Sequence, residues 1–147
     1  ERIKAYLNGS RRRDEHPSVP ITADELAAAA AGAVAAGAEA LHPHPRNRVG
    51  AESLHPGDVA AAVMAVRRAC PGVPVGVSTG LWISAGDVGQ RLTTVARWGD
   101  LPVAARPDFA SVNVREPGFA EIVAALQGRV DRCRLAPIVI TIQSPSL

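Results

Sequence analysis

Short apolar runs alternate with longer alanine-rich stretches along this chain. The short runs are β-rich and are bounded by Gly, Pro, Asn and Ser, which predicts four strands over residues 3–7, 38–44, 73–77 and 109–114. The longer stretches repeat their apolar positions with helical spacing and predict four helices over residues 26–36, 56–70, 87–98 and 117–126. Strands that alternate with helices predict parallel βαβ units with right-handed crossovers.

Terminating residues support these boundaries. Thr22 and Glu25 have the spacing of a capping box at the start of the first helix, and Gly37 is a natural stop after it. Pro56 suits the first turn of the second helix, where its missing N–H is not needed.

The predicted fold is α/β, with about four βα units over residues 1–127. A (β/α)8 barrel takes about 250 residues, so a chain of 147 residues has about half of one, its N-terminal part. An open doubly wound sheet is the other arrangement of such units at this length. Residues 128–147 form an arginine-rich stretch and a β-branched run, which predicts either a fifth strand or an aberrant tail outside the fold.

Composition narrows the function classes. The formal net charge is +2 and only 3% of the residues are aromatic, which gives no basis for nucleic-acid or membrane binding. The arginines at 11–13 are followed by Asp14 and Glu15, which partly neutralise them. Cys70 and Cys133 have no metal or redox spacing and are expected to be free thiols in a cytoplasmic protein.

Two histidines at the end of the second predicted strand suggest metal chemistry. In a strand, residues two apart point to the same face, so His42 and His44 would project together. Neutral imidazole is a preferred ligand of zinc and other transition metals. Pro43 and Pro45 cannot donate ladder hydrogen bonds, so the pair should stand where the strand leaves the sheet. A pair of hydrogen-bonded loop histidines is the alternative.

Six short motifs then follow one order that resembles a known family. They are Leu7-Asn8-Gly9, Pro20-Ile21-Thr22, Ala36-Gly37-Ala38, His42-x-His44-x-Arg46, Val77-Ser78-Thr79-Gly80 and Ala110-Ser111-Val112-Asn113-Val114. Together they resemble the β-keto acid cleavage enzyme family, many of whose members are called 3-keto-5-aminohexanoate cleavage proteins. The resemblance covers about residues 3–119, and each motif alone is weak.

The resemblance implies a (β/α)8 barrel with one divalent metal, usually zinc. Such enzymes cleave a β-keto acid with acetyl-CoA to acetoacetate and a new acyl-CoA, in pathways such as amino acid catabolism, and their full-length chains are expected to be homo-oligomers. His42 and His44 would be two metal ligands. The implied substrate-binding residues are Ser78, Thr79, Gly80, Ser111, Asn113 and Arg46, the last of which could hold an anion or support the metal site.

The family's third metal ligand, a glutamate, and its catalytic arginine and aspartate come from the later half of the barrel. No catalytic residue is therefore assigned in these 147 positions, and a truncation or frameshift is the expected origin of the tail. Some relatives also place a glutamate after the first strand to contact a substrate amino group. Ser10 and Arg11 stand there in this chain, which favours a neutral or anionic substrate.

Other interpretations remain open from the sequence. Ser78 could cap the segment that follows it, and Asn113 could make a structural hydrogen bond. At the level of function, the alternatives to an enzyme are a catalytically inactive remnant, a half-barrel that associates with itself, and an unrelated small α/β binding domain.

Overall fold

A computed structural model describes residues 2–127 and 139–143, the last five by their backbone. The regular elements in chain order are β1 (Lys4–Tyr6), α1 (Ala23–Ala35), β2 (Ala40–His42), α2 (Pro56–Ala69), β3 (Gly76–Ser78), α3 (Val88–Ala96), β4 (Phe109–Asn113), α4 (Phe119–Gln127) and β5 (Val139–Gln143). Short 3-10 helices over Leu81–Ser84, Arg97–Asp100 and Val103–Ala105 lie between β3 and β4.

The strands are parallel and lie side by side in the order in which the chain makes them. β1 pairs with β2, and β3 pairs with β4, which pairs with β5. A single parallel bridge between Leu41 and Val75 joins the two groups. A doubly wound sheet reverses its strand order at a switch point. The described strands contain no such reversal, and they do not close into a barrel.

Two strands do not cover the full length of their apolar runs: one ends earlier than its run, and the other begins later. β2 ends at His42, although the run continues to residue 44, because the prolines at 43 and 45 cannot donate to a neighbouring strand. β3 begins at Gly76 rather than near residue 73, because Pro74 stands within the run. The β-branched run over 137–142 overlaps β5, whereas residues 128–138 and 144–147 lie outside the described residues.

The helix boundaries follow from their caps. Thr22 accepts the Glu25 N–H and Glu25 accepts the Thr22 N–H, so the predicted capping box is confirmed. Gly37 follows the helix with φ of 106°, a conformation that favours glycine. Pro56 lies in the first turn of α2. None of the helices in the described residues is both long enough and apolar enough to span a bilayer.

Alternation along the strands gives the sheet one helix-packed face and one face with polar groups. Leu41, Val75, Val77, Ala110 and Val112 point to the first face and are buried against α1–α4 in the hydrophobic core. The intervening residues point to the opposite face. They include Tyr6, His42, Gly76, Ser78, Phe109, Ser111 and Asn113. The predicted site residues of the strands thus share the sheet face opposite the helices.

Candidate active site

His42 lies at the centre of an aromatic layer across the sheet. Its ring centroid lies 4.7 Å from that of Tyr6 on β1 and 6.0 Å from that of Phe109 on β4. The second contact crosses β3 at Gly76, where an added Cβ would lie 2.1 Å from the Phe109 ring. Glycine therefore opens the gap through which Phe109 approaches His42, and three strands contribute to one apolar layer around a histidine.

The His42 ring is buried without a polar partner. The residue is fully buried, and neither ring nitrogen has a hydrogen bond among the described residues. Burial, followed by the charges of His44 and Lys4, lowers the pKa of His42 to about 3. The imidazole is thus neutral near pH 7 and keeps a lone pair, which is the form that binds a metal.

His44 lies beside His42 on the same side of the sheet. Their ring centroids are 5.3 Å apart, as the spacing of two residues predicts. Asn8 holds the His44 backbone, because its Oδ1 accepts the His44 N–H at 2.8 Å and its Nδ2 donates to the His44 carbonyl at 3.0 Å. The Asn8 side chain thereby replaces a neighbouring strand at the point where the two prolines end the ladder.

A tight turn brings Glu52 against His44. Asn47 accepts the N–H groups of Val49 and Ala51, Gly50 takes φ of 83°, and the chain returns so that Glu52 pairs with Arg46 in an antiparallel bridge. Glu52 Oε1 then lies 2.6 Å from His44 Nδ1.

The Glu52 carboxylate has two further donors. Its Oε2 accepts Trp82 Nε1–H at 2.8 Å, and its Oε1 accepts the Ser10 hydroxyl at 3.3 Å. Burial tends to raise the pKa of Glu52, but the hydrogen bonds from His44, Trp82 and Ser10 outweigh it and hold that pKa below its usual range. Glu52 is therefore ionised near pH 7 and acts as an acceptor only.

The segment after β3 is fixed largely by its own backbone and by β4. Ser78 Oγ accepts the Gly80 N–H at 3.1 Å, a contact within the turn that precedes the 3-10 helix over Leu81–Ser84, whose start has no side-chain cap. Thr79 donates both its N–H and its hydroxyl to the Ser111 carbonyl, at 3.2 and 2.8 Å. Because Ser78 accepts through Oγ, its own hydroxyl proton remains to be donated to another acceptor.

Ser111 and Asn113 stand on β4 on the same sheet face. Ser111 is in register with Ser78 on β3, which places the two serines side by side one step beyond the aromatic layer. Asn113 lies at the end of the strand, where its Oδ1 accepts the Arg115 N–H at 3.0 Å. This is the structural hydrogen bond that was the alternative to substrate contact.

Arg46 binds backbone carbonyls around the site. Its guanidinium donates to the carbonyls of Gly9 at 2.7 Å, Arg11 at 2.8 Å and Gly50 at 3.1 Å, and also to that of His44 at 3.3 Å. These contacts tie the loop after β1 to the turn after β2. They hold the segment that contains His44 in place, which corresponds to one of the two roles that the sequence left open for Arg46.

A buried ion pair joins the loops that follow β3 and β4. Arg91 of α3 is fully buried, and its Nη1 contacts Glu116 Oε2 at 2.5 Å. The same guanidinium donates to the carbonyls of Thr79 and Pro117, while Glu116 accepts the Leu81 N–H at 3.1 Å. The ion pair therefore joins the loop after β3, which carries Thr79 and Gly80, to the loop that follows Asn113 at the end of β4.

A cavity of about 410 Å³ opens beside this group, at the carboxyl end of β1. It is lined by Tyr6, Leu7, Asn8, Gly9, Arg11, His16, Ser18, Val19 and Pro20. Tyr6 connects the cavity to His42 through the aromatic layer. A second cavity, of about 560 Å³, lies at the amino ends of the strands and contains none of the predicted site residues.

The residues present fit part of a divalent-metal site. Two imidazoles lie side by side, and the two nitrogens of the buried one, His42, have no hydrogen-bond partner among the described residues, which is unusual for buried polar atoms. Catalytic zinc takes three protein ligands and an open position. Within residues 2–127 and 139–143, no group of three His, Cys, Asp or Glu side chains is placed to hold a metal.

Sequence reasoning missed Glu52, Arg91 and Glu116. The turn that brings Glu52 to His44 has a local signal, an Asn three residues before a Gly, which is typical of a chain reversal. Arg91 has no such signal, since an arginine in an amphipathic helix ordinarily faces solvent.

Comparison with known proteins agrees with the motif order. A family profile described as beta-keto acid cleavage enzyme matches residues 2–140. A protein of Cupriavidus necator named 3-oxoadipate:acetyl-CoA acetyltransferase is 36% identical over 119 residues. That match covers 80% of this chain and 38% of the relative's length. The expectation that the resemblance ends near residue 119 is wrong, because the profile continues into β5.

Proposed function

Because the chain belongs to the β-keto acid cleavage enzyme family, we propose that it serves in the cleavage of a β-keto acid with acetyl-CoA. The products would be acetoacetate and a new acyl-CoA. The observation that carries the proposal is the pair of side-by-side imidazoles at the carboxyl end of β2, one of them buried with unpaired ring nitrogens. Family membership rules out the alternative of an unrelated α/β binding domain.

The fold supports a place for these strands in a (β/α)8 barrel. Consecutive barrel strands are parallel and adjacent in chain order, with helices on one face, and the described strands follow that pattern. Barrel enzymes carry their sites at the carboxyl ends of the strands, which is where His42, Ser78 and Asn113 stand.

His42 and His44 would hold the metal, and zinc or another divalent transition-metal ion suits two imidazole ligands. When bound, such an ion supplies a Lewis acid that polarises a keto carbonyl. The chain's own contribution is a dry aromatic layer around His42 and a fixed His44. Both lower the reorganisation needed when a ligand binds.

The serines on β3 and β4 are proposed to bind the substrate. Ser78 and Ser111 lie in register on the sheet face opposite the helices, and both are buried. The Ser78 hydroxyl proton is suited to a carboxylate or keto oxygen, because its oxygen already accepts the Gly80 N–H. Thr79 and Gly80 would act through the loop conformation that they maintain, and Asn113 through its side-chain amide at the end of β4.

An acidic β-keto acid fits the loop after β1. The 410 Å³ cavity there is lined by Arg11 and His16 and by no acidic side chain. The relative named 3-oxoadipate:acetyl-CoA acetyltransferase is named for a dicarboxylic substrate. Arg11 lies 3.9 Å from Glu15 and is largely exposed, so its side chain is able to reorient toward a carboxylate of the substrate.

The test is a double substitution, His42→Ala with His44→Ala. The matched control replaces the exposed His55 by Asn, which keeps its hydrogen-bond acceptor for the Gly57 N–H. We expect the wild type and the control to bind one zinc ion per chain, measured by elemental analysis after dialysis, and the double variant to bind none. Acyl exchange between a β-keto acid and acetyl-CoA would be lost with the metal. Zinc content that survives the double substitution would refute the proposal.

Self-association is a further part of the proposal. The sheet face opposite the helices includes Tyr6, which is about half exposed, and an open parallel sheet tends to bury such apolar surface against another element. Light scattering of the purified chain is expected to give the mass of a homo-oligomer. A monomeric mass at micromolar concentration would refute self-association without affecting the proposed chemistry.

A further inference from the structure

Glu52 has the contacts of a side chain that sets the orientation of a metal ligand. Its carboxylate is only 13% exposed, and each of its oxygens is engaged. Oε1 lies 2.6 Å from His44 Nδ1, and Oε2 accepts Trp82 Nε1–H at 2.8 Å. The turn over residues 46–52, closed by the Arg46–Glu52 bridge, fixes where the carboxylate stands.

We propose that Glu52 is a positioning residue that holds His44 with Nδ1 protonated, so that Nε2 is the nitrogen offered to the metal. The inference rests on the proposed metal site at His42 and His44. The Glu52 carboxylate accepts hydrogen bonds from the Trp82 indole and the Ser10 hydroxyl, so in its contact with His44 the ring nitrogen is the donor. The 2.6 Å contact therefore assigns the proton to Nδ1 and the lone pair to Nε2. The neighbouring negative charge also makes the imidazole a stronger ligand.

Glu52 is placed as the partner of a ligand rather than as a ligand itself. Its two oxygens are used by His44 and Trp82, and it does not join the two histidines in a group of three ligating side chains. His42 differs, because neither of its nitrogens has a polar partner in the part of the chain that the structure describes. The two histidines are therefore held in different ways, His42 by ring packing and His44 by a carboxylate.

Trp82 extends this arrangement to the loop after β3. An added Cβ on Gly80 would lie 2.1 Å from the Trp82 ring, so the indole packs directly against the Gly80 backbone. The indole N–H meanwhile holds Glu52. The contacts His44–Glu52–Trp82–Gly80 thus link the metal ligand to the segment that carries Ser78.

The experiment measures the zinc dissociation constant by competition with a chromophoric chelator. Glu52→Gln keeps the shape and removes the charge, Glu52→Leu removes both, and Trp82→Phe removes the indole N–H. Glu39→Gln, at an exposed glutamate just before β2, is the control. We expect Glu52→Gln to weaken zinc binding about 10- to 100-fold, as loss of an outer partner does. We expect a larger loss for Glu52→Leu, a smaller one for Trp82→Phe and none for the control.

Two further readings separate the possible outcomes. Cobalt-substituted Glu52→Gln should keep the visible absorption of the wild type, since the ligand set is unchanged; an altered spectrum would make Glu52 a direct ligand and overturn the inference. The circular dichroism spectrum of the metal-free Glu52→Gln protein should match that of the wild type, so that the loss of zinc affinity is measured on folded protein. Zinc affinity within twofold of the wild type in both Glu52 variants would also overturn it. Absence of zinc binding by the wild type would instead refute the proposed function.

Discussion

His42 departs from the rule that buried polar atoms find partners. Most buried ring nitrogens in proteins are hydrogen-bonded, because an unpaired one loses its contacts with water without replacement. The His42 ring is instead surrounded by two aromatic rings and a second histidine. A bound metal would restore a partner to one of the two nitrogens, so the apolar surroundings and the proposed ligand role are consistent with each other.

Gly76 shows how one missing side chain shapes this environment. Gly76→Ala would place a methyl group 2.1 Å from the Phe109 ring, which must then move away from His42. We expect a loss of about 1–3 kcal/mol in the free energy of unfolding, the usual range for overpacking. Urea denaturation measures it.

The control for that substitution is Gly32→Ala in α1. No atom lies within 4 Å of the position of an added Cβ there, and alanine favours a helix interior by up to about 1 kcal/mol over glycine. Equal effects of the two substitutions on the urea midpoint would contradict the role given to Gly76.

At the scale of elements, the sequence was most informative where a local signal decides the structure. The capping box at Thr22 and the proline in the first turn of α2 fix helix starts by backbone chemistry alone, and both are present. The strand ends near residues 43 and 74 were harder, because an apolar run does not show which of its residues meet a neighbour. Proline, rather than hydrophobicity, decided those limits.

The Arg91–Glu116 ion pair is a buried contact between elements whose loss should destabilise the protein. Removing one partner of a buried pair leaves the other charge without compensation, which typically costs about 3–5 kcal/mol. We expect Glu116→Gln to lie near the lower end of that range, because the amide still accepts a hydrogen bond and Glu116 is partly exposed. We expect Arg91→Met to cost less stability than Glu116→Ala, because methionine is apolar, whereas Glu116→Ala leaves the buried Arg91 charge without its partner.

The measurement is thermal unfolding of the three variants, with Glu121→Gln, an exposed glutamate of α4, as the control. If Glu116→Ala unfolds at the temperature of that control, the ion pair does not hold the two loops. Proteolysis at residues 113–118 gives a second reading, since release of the loop would expose it to cleavage.

At the scale of the molecule, the order of strands and helices could be predicted from the sequence. The contacts through which they pack could be predicted only in part. Alternating strands and helices predicted the parallel sheet, and the motif order predicted the family. The pairing of His44 with Glu52 depends on a turn of seven residues, and that of Arg91 with Glu116 on packing between α3 and a loop. Such contacts join residues whose spacing follows no helical or strand period, so a pattern along the chain does not reveal them.

The free energy of unfolding of the whole chain should decrease as the pH is lowered from 7 to 5. The unfolded His42 titrates near 6.5, whereas its folded pKa is about 3, so between these values the unfolded chain binds more protons and unfolding is favoured as pH falls. Glu52 acts in the same direction, because its folded pKa lies below the usual value and its stabilising effect is lost on protonation. One proton corresponds to a limit of about 1.4 kcal/mol per pH unit.

The measurement is the free energy of unfolding of chelator-treated protein at pH 7, 6 and 5. His42→Phe keeps a ring in the aromatic layer and removes the titration, so its pH dependence should be shallower than that of the wild type. His16→Asn, at an exposed histidine, is the control. The assignment to His42 fails if the wild type and His42→Phe have the same slope.

The hydrogen bond from Trp82 to Glu52 gives the protein an optical signal of its own. The chain has two tryptophans, and their surroundings differ. Trp98 is buried and donates to the Leu54 carbonyl, whereas Trp82 is half exposed and donates to the carboxylate that contacts His44. A cation bound to His44 would draw charge from that carboxylate through the imidazole ring, and this would change the emission of Trp82 while that of Trp98 stayed constant. Loading of the site could then be followed in the fluorimeter without any label.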